Sequence, residues 1–204
     1  MDAHLQAGVA IYNAGRYHAA HDAWEDHWLD LASGTDDERF LHGLIQFTAA
    51  VHHAETGNRA GATGLADSAR EYLDGLGETY RGVNVGAVRR YLGALGRDPT
   101  VEEPLALTHD GVALSLDELG FEATAVAAAV LAEADGHDET LFETAATYAR
   151  ADIDDERTAS PFVTLLFDFV REPDNRDIVA QRLGEHTQRR QHRDDDVAGL
   201  FEKR

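Results

Sequence analysis

Apolar residues in the first 93 positions recur at intervals of three and four, which is the spacing of amphipathic helices. No strict apolar–polar alternation competes with this pattern over that stretch. In the first periodic segment the pattern directs Leu5, Val9 and Tyr12 inward. Glycine or other turn-forming residues follow each segment, as is typical of helix ends. The pattern therefore predicts four helices, at about 3–14, 17–32, 37–56 and 59–75.

Two junctions between these helices have similar sequences. Gly15 ends the first predicted helix and Gly57 ends the third, and a small residue, Ala20 or Ala62, follows five positions later. Glycine is common just after a helix because it adopts a left-handed backbone conformation without strain. Tetratricopeptide-like hairpins have such junctions, but two units are fewer than a stacked solenoid requires. We therefore predict a compact four-helix core made of two antiparallel helical hairpins.

After Gly93 the chain changes in character, because glycines and prolines mark a loop. Within 105–116, Asp110 and Gly111 separate two alternating segments, which is a strong signal for a β-hairpin. Helical periodicity then returns. It predicts four further helices, at about 121–134, 138–152, 160–171 and 175–192.

These elements predict a mainly all-α protein organised in two parts. The 204 residues are enough to bury a sizeable core without covalent cross-links. We expect a core at 1–93, and a mostly helical C-terminal extension at 94–204 that packs on the core and contains the small β-hairpin.

The composition excludes several kinds of chemistry. The chain contains no cysteine, so disulfides, thiolate nucleophiles, iron–sulfur clusters and thiolate zinc sites are excluded. Its beginning lacks the basic and apolar regions of a signal peptide, and its longest apolar run, 125–132, is too short to cross a bilayer. We expect a cytoplasmic protein with no membrane partner. Any bound metal would use His, Asp or Glu.

The charge of the chain is strongly acidic. There are 38 Asp and Glu against 18 Lys and Arg, for a formal net charge of −20, and the one lysine is Lys203. Such a surface repels polyanions, so we expect no nucleic-acid partner. Abundant acids with almost no lysine are typical of halophilic proteins, because high salt screens the self-repulsion. The basic run within 185–196 alternates into acids, and we interpret it as a surface helix and not as an RNA-binding arm.

The second predicted helix has polar groups on its inward face. On a helical wheel Tyr17, Trp24 and Trp28 share one arc, His21 falls within that arc, and Glu25 lies at its edge. We therefore expect His21 and Glu25 to be at least partly buried. A buried polar group needs a hydrogen bond, because leaving it unsatisfied costs about 1–3 kcal/mol.

The third predicted helix supplies further histidines. Its apolar stripe consists of Phe40, Leu44, Phe47, Val51 and Ala54. The pattern places His42, Gln46 and His53 together on the opposite side and His52 nearer the apolar flank. A set of His21, Glu25 and His52, extended by Asp22 or Glu55, would have the ligand types that zinc, iron and manganese accept. A divalent metal is thus the one cofactor for which the sequence offers ligands.

Two kinds of function remain open. In the first, His21 and Glu25 are structural, and the protein is a non-catalytic binding or scaffold protein that takes a protein or a small molecule in a groove between the hairpins. The candidate residues of this cluster or groove are Tyr17, His21, Asp22, Glu25, Trp28, Gln46 and His53. In the second, the protein is a metal-dependent enzyme of the hydrolase type. The chain has no phosphate-binding loop, nucleophile elbow or H-E-x-x-H motif, which favours the first. The sequence is compatible with both a monomer and a homo-oligomer.

Spaced motifs near the N-terminus resemble a known family. They are N-A-G-x-Y-x-x-A-H-D-x-W-E-x-x-W at 13–28, F-L-x-G-L-I-Q at 40–46, Gly57-Asn58 with Ala62, and Y-R-G-V at 80–83. Over about residues 5–92 the chain is similar to the small helical proteins of the domain of unknown function 309 family. The usual acid after the histidine in that family is Glu, whereas this chain has Asp22. The resemblance implies an all-helical fold and carries no established activity.

Overall fold

The computed structural model describes residues 1–100 and 103–201, with side chains up to Asp196. Within these ranges the regular structure is helical and includes no strand, which confirms the predicted mainly all-α fold. The α-helices are α1 (Asp2–Asn13), α2 (Tyr17–Leu29), α3 (Asp36–Glu55), α4 (Arg59–Leu73), α5 (Val85–Leu95), α6 (Phe121–Ala134), α7 (Glu139–Asp154), α8 (Pro161–Arg171) and α9 (Arg176–Phe201). No helix in the described part of the chain has the length and apolar character needed to cross a membrane.

Helix α5 is the helix that the sequence pattern missed. It is short, and Gly86 and Gly93 lie inside it, where glycine lowers helix propensity by about 1 kcal/mol relative to alanine. Its apolar face is nevertheless fully buried and consists of Val85, Val88, Leu92 and Leu95. Burial of that face therefore outweighs the weak local preference.

The chain divides into two compact units, unit 1 (Met1–Ala127) and unit 2 (Ala128–Arg204). In unit 1, α1 packs against α2, α2 against α3, α3 against α4, and α4 against α5. This order contains the two predicted helical hairpins. Unit 1 includes the loop after α5. The division into a core at 1–93 and an extension at 94–204 stays a prediction. The packing of a C-terminal extension on the core stays a prediction.

Both hairpin junctions have the predicted geometry. Gly15 and Gly57 adopt positive φ angles of 76° and 77°. The residue after each glycine donates its backbone N–H to a carbonyl of the preceding helix, Arg16 to Ile11 at 3.1 Å and Asn58 to His53 at 2.8 Å. This is the Schellman pattern, which satisfies carbonyls that a helix end leaves free. The small residues Ala20 and Ala62 are both fully buried.

The segment 105–116 forms the predicted turn but not the predicted β-hairpin. Asp110 and Gly111 have φ angles of 51° and 82°, and the N–H of His109 donates to the carbonyl of Val112 at 2.8 Å. The flanking residues form isolated bridges and no strand. The turn is thus correct, and the prediction of two paired strands is wrong.

Side chains of two asparagines replace the strand pairing. The Asn13 amide donates to the carbonyls of Leu107 and Leu114, at 2.9 Å each, and its oxygen accepts from the N–H of Leu107 at 2.9 Å. The Asn84 side-chain oxygen accepts from the N–H of Thr108 at 3.0 Å. These bonds use backbone groups on both sides of the turn, so they are not available for a ladder between the two segments.

Unit 2 is built from α7, α8 and α9, which pack against one another. Ser160 caps α8 and Pro161 is its first residue, as the sequence predicts. The rings of Phe142 and Phe169 lie 4.3 Å apart in the core. The basic run within 185–196 lies in the middle of α9, and most of its residues are exposed. The interpretation of this run as part of a surface helix is consistent with that position.

Candidate functional site

His21 forms a surface cluster with two other polar residues of α2, His18 and Asp22. Among the described residues, His18, His21 and Asp22 are the group whose possible metal-ligand atoms all lie within 4.8 Å of one another. His18 Nδ1 lies 3.2 Å from Asp22 Oδ2, and His21 Nε2 lies 3.7 Å from Glu25 Oε1. The side chains of His21 and Glu25 are 31% and 42% exposed, so they are partly buried as predicted but remain within reach of water.

His52 lies outside this group. It is exposed on α3, and its ring lies 6.1 Å from that of His53. His53 is partly buried instead, and its Nδ1 accepts from the Asn58 amide at 3.0 Å. The predicted sides of these two histidines are therefore reversed, because α4 packs against α3 and covers the side that carries His53. The structure brings His21 together with His18 and Asp22, whereas the predicted metal set joined it to His52.

A second polar cluster joins α2, α3 and α4 around His42. The Trp28 indole donates to Glu38 Oε1 at 3.0 Å, and the same oxygen lies 3.6 Å from His42 Nδ1. The Gln46 amide lies 3.1 Å from the other ring nitrogen of His42. The His42 ring stacks on Tyr72 with centroids 3.9 Å apart. The hydrogen bond from Trp28 lowers the pKa of Glu38 and outweighs the opposite effect of burial. Trp28 and Gln46 thus belong to a network that links three helices.

Tyr17 belongs to a third site, which we call the tyrosine cavity. This cavity has a volume of about 650 Å³ and lies within unit 1, between the end of α1, the start of α2, the end of α3 and the loop 103–116. Most of its wall is apolar, with Pro104, Leu105, Leu114 and Leu116 contributed by the loop. Its polar lining residues are Tyr12, Asn13, Tyr17, Glu55, Glu103 and Ser115. None of the described lining residues is cationic.

Tyr12 is the unusual residue of the tyrosine cavity. Its side chain is 2% exposed, and its hydroxyl has no hydrogen-bond partner among the described residues. Burial raises its pKa, and the neighbouring Tyr91 adds to that effect, so the hydroxyl is neutral. Beside it, the Tyr17 hydroxyl donates to Glu55 Oε1 at 3.1 Å, and burial together with this bond raises the pKa of Tyr17 to about 12. Tyr12, with its buried and neutral hydroxyl, thus lines the same cavity as the exposed carboxylate of Glu55.

Sequence reasoning predicted parts of this site but not the site itself. Helical periodicity directs Tyr12 inward. The sequence also indicates Tyr17 as a residue of the candidate groove and Glu55 as a possible extension of the metal set. The cavity depends on the loop 103–116, which Asn13 holds from far away along the chain. The polar Asn13 at the end of an otherwise apolar helix face is the one local signal for this contact.

The N-terminal part of the chain is similar to known proteins. Residues 5–65 match a family model described as Domain of unknown function (DUF309). An uncharacterized protein of Aquifex aeolicus (strain VF5) is 27% identical over 88 residues, which make up 43% of this chain. The chain spans about a quarter of that relative, since the aligned stretch covers 26% of its length. The family match is shorter than the predicted 5–92 but includes most of α1, all of α2 and α3, and both hairpin junctions. Over residues 5–65 the chain therefore matches the domain of unknown function 309 family, as its spaced motifs predict.

Proposed function

We propose that unit 1 is a binding module for a small organic cation, an amine with an apolar body, in the tyrosine cavity. The observation that carries this proposal is the buried Tyr12 hydroxyl, which has no partner among the described residues and belongs to a residue that lines the same cavity as Glu55. Buried polar groups in folded proteins are almost always hydrogen-bonded, so a ligand that completes this bond is favoured.

The chemistry of the cavity suits an ammonium group. The phenol oxygen of Tyr12 accepts an N–H, and Glu55 contributes a negative charge while accepting from Tyr17 through one oxygen. Tyrosine rings attract cations through their faces, and the ring centroids of Tyr12 and Tyr17 are 5.2 Å apart. The apolar wall from the loop 103–116 would hold the body of the ligand. The cavity volume of about 650 Å³ is typical of small-molecule sites.

Benzylamine is a suitable probe, with benzyl alcohol and benzoate as neutral and anionic controls of similar size. We expect benzylamine to bind more tightly than either control in isothermal titration calorimetry, and to shift backbone amide signals of residues 103–116 in NMR spectra. We expect Glu55→Gln to weaken benzylamine binding about ten-fold, since a charge-assisted hydrogen bond is lost. Glu71→Gln, an exposed change elsewhere in unit 1, is the matched control and should leave binding unchanged.

Tyr12→Phe separates a binding role from a structural one. Without ligand, the variant should be as stable as the wild type or more stable, because the hydroxyl that it removes has no protein partner. With benzylamine, it should bind several-fold more weakly. A loss of stability without ligand, or equal affinities for benzylamine and benzoate, would contradict the proposal.

A second candidate function rests on the His18, His21 and Asp22 cluster. We propose that it binds a divalent metal, which would support a metal-dependent enzyme of the hydrolase type, since three protein ligands leave a position for water. Elemental analysis after incubation with zinc and desalting should find the metal in the wild type and in His52→Ala but not in His18→Ala. Equal metal content in the two variants, or none in the wild type, would refute this site.

A further inference from the structure

Unit 2 contains a strongly basic pocket in a chain that is otherwise acidic. The pocket has a volume of about 500 Å³ and is bounded by the end of α7, the loop between α7 and α8, the start of α8 and the middle of α9. We call it the arginine pocket. Its charged lining residues are Asp152, Arg157, Arg189, Arg190 and Arg193, and His186 lies among them. Four of the 18 basic residues thus meet at one place, although acids outnumber bases by 38 to 18 along the chain.

Buried Asp152 holds two of these arginines in place. Its side chain is 4% exposed, and its Oδ1 lies 3.0 Å from Arg157 Nη1 and 3.2 Å from Arg190 Nη1. Its other oxygen accepts from the Ser160 hydroxyl at 2.8 Å. Asp155 also lies 3.1 Å from Arg157 and Asp194 lies 3.4 Å from Arg190, but these two acids are 61% and 53% exposed, and such surface pairs are weak. Asp152 is the one acid among the described residues of the pocket lining, so positive charge remains at the pocket wall. Because Arg157 and Arg190 are held before any ligand arrives, these two side chains lose little entropy on binding.

The other two arginines are available for a ligand. Arg193 is exposed and has no ion pair or hydrogen bond among the described residues. Arg189 pairs with Glu185 at 3.0 Å, but both side chains are more than half exposed, and such surface pairs are weak. Guanidinium groups bind phosphate oxygens in a bidentate manner, which makes a cluster of arginines a suitable phosphate site.

We infer that unit 2 binds the phosphate group of a small phosphorylated molecule in the arginine pocket. Arg189 and Arg193 contact the phosphate oxygens, and Arg190 adds positive charge from the wall. Ala159, Pro161 and Phe162 line the pocket as well and provide an apolar surface for the organic part of the ligand. A pocket of this size suits a small ester, and the acidic character of the chain disfavours a long polyanion.

Isothermal titration calorimetry with inorganic phosphate, phenyl phosphate and phenol tests this inference on the full chain at one fixed potassium chloride concentration. We expect phenyl phosphate to bind more tightly than inorganic phosphate, and phenol not to bind. Arg193→Gln should weaken phenyl phosphate binding about ten-fold, since one charge-assisted contact is lost. Arg182 is exposed on α9 and lies outside the pocket. Arg182→Gln is therefore the matched control and should change the affinity less than two-fold.

Circular dichroism shows whether these variants fold, and both should melt at the wild-type temperature because neither arginine is buried. Equal weakening by Arg182→Gln and Arg193→Gln would overturn the inference, since the effect would then come from net charge alone. Equal affinities for phosphate and phenyl phosphate would overturn the assignment of an organic ligand. A short single-stranded RNA that binds more tightly than phenyl phosphate, and loses affinity in Arg193→Gln, would assign the pocket to nucleic acid instead.

Discussion

Replacing Trp24 with alanine is expected to lower the free energy of unfolding by about 3–5 kcal/mol, because a large side chain is removed from a packed interior. Trp24 is fully buried. Its indole lies directly on Gly8 of α1, so closely that a Cβ at that position would overlap the ring. Its N–H donates to the carbonyl of Leu5 at 3.4 Å. The residue therefore fills the contact between the two helices of the first hairpin.

Guanidinium denaturation followed by circular dichroism measures this loss, with all variants at the same salt concentration. Leu29→Ala is the matched control on the same helix, because that side chain is 68% exposed, and it should change stability by less than about 0.5 kcal/mol. Trp28→Ala should fall between the two, since Trp28 is only partly buried but donates to Glu38. If Trp24→Ala were as mild as Leu29→Ala, the packing of the first hairpin as described would be wrong.

Replacing Asp152 with alanine is expected to be the most damaging change in unit 2, at about 3 kcal/mol, because one member of a buried charge pair is removed. Arg190, whose side chain is 15% exposed, would keep only its pair with the half-exposed Asp194, and the buried Ser160 hydroxyl would lose its acceptor. Arg157 is 46% exposed and regains water, which keeps the loss at the lower end of the range for such pairs. The free energy of unfolding, measured by chemical denaturation, should fall accordingly.

Asp155→Ala provides a control with the same chemical change three residues further along the chain. Asp155 also pairs with Arg157, at 3.1 Å, but its side chain is 61% exposed. Exposed ion pairs contribute about 0–1 kcal/mol, so this variant should be close to the wild type. Similar losses in the two variants would show that burial does not determine the contribution of Asp152.

The positions of the helices follow from local sequence. Two local signals specify these helices. One is the spacing of Leu5, Val9 and Tyr12 in α1, and the other is the glycine that follows α1 and α3. Each signal affects only the backbone within a few residues of it. Local sequence does not predict α5, because two internal glycines lower its helix propensity. Burial of its apolar face stabilises this helix instead. Local sequence also explains the half-correct prediction at 105–116, since Asp110-Gly111 specifies a turn and nothing beyond it.

The partners of the polar side chains do not follow from local sequence. Periodicity placed Tyr17, His21, Trp28 and Gln46 in one candidate cluster, but these residues lie in three separate groups. Tyr17 pairs with Glu55, His21 lies beside Asp22, and Trp28 and Gln46 meet at Glu38 and His42. A helical wheel gives the direction of a side chain but not the neighbour that lies there.

The sequence by itself determined the helical class of this protein, its two N-terminal hairpins, their junctions and the family match, because helix formation and capping depend on residues close together in the chain. Only the tertiary structure decided which polar groups meet. The tyrosine cavity needs the loop that Asn13 holds against α1, and the arginine pocket needs Asp152 of α7 beside Arg190 of α9. Both sites depend on contacts between residues far apart in sequence, and such contacts exist only once the helices have packed.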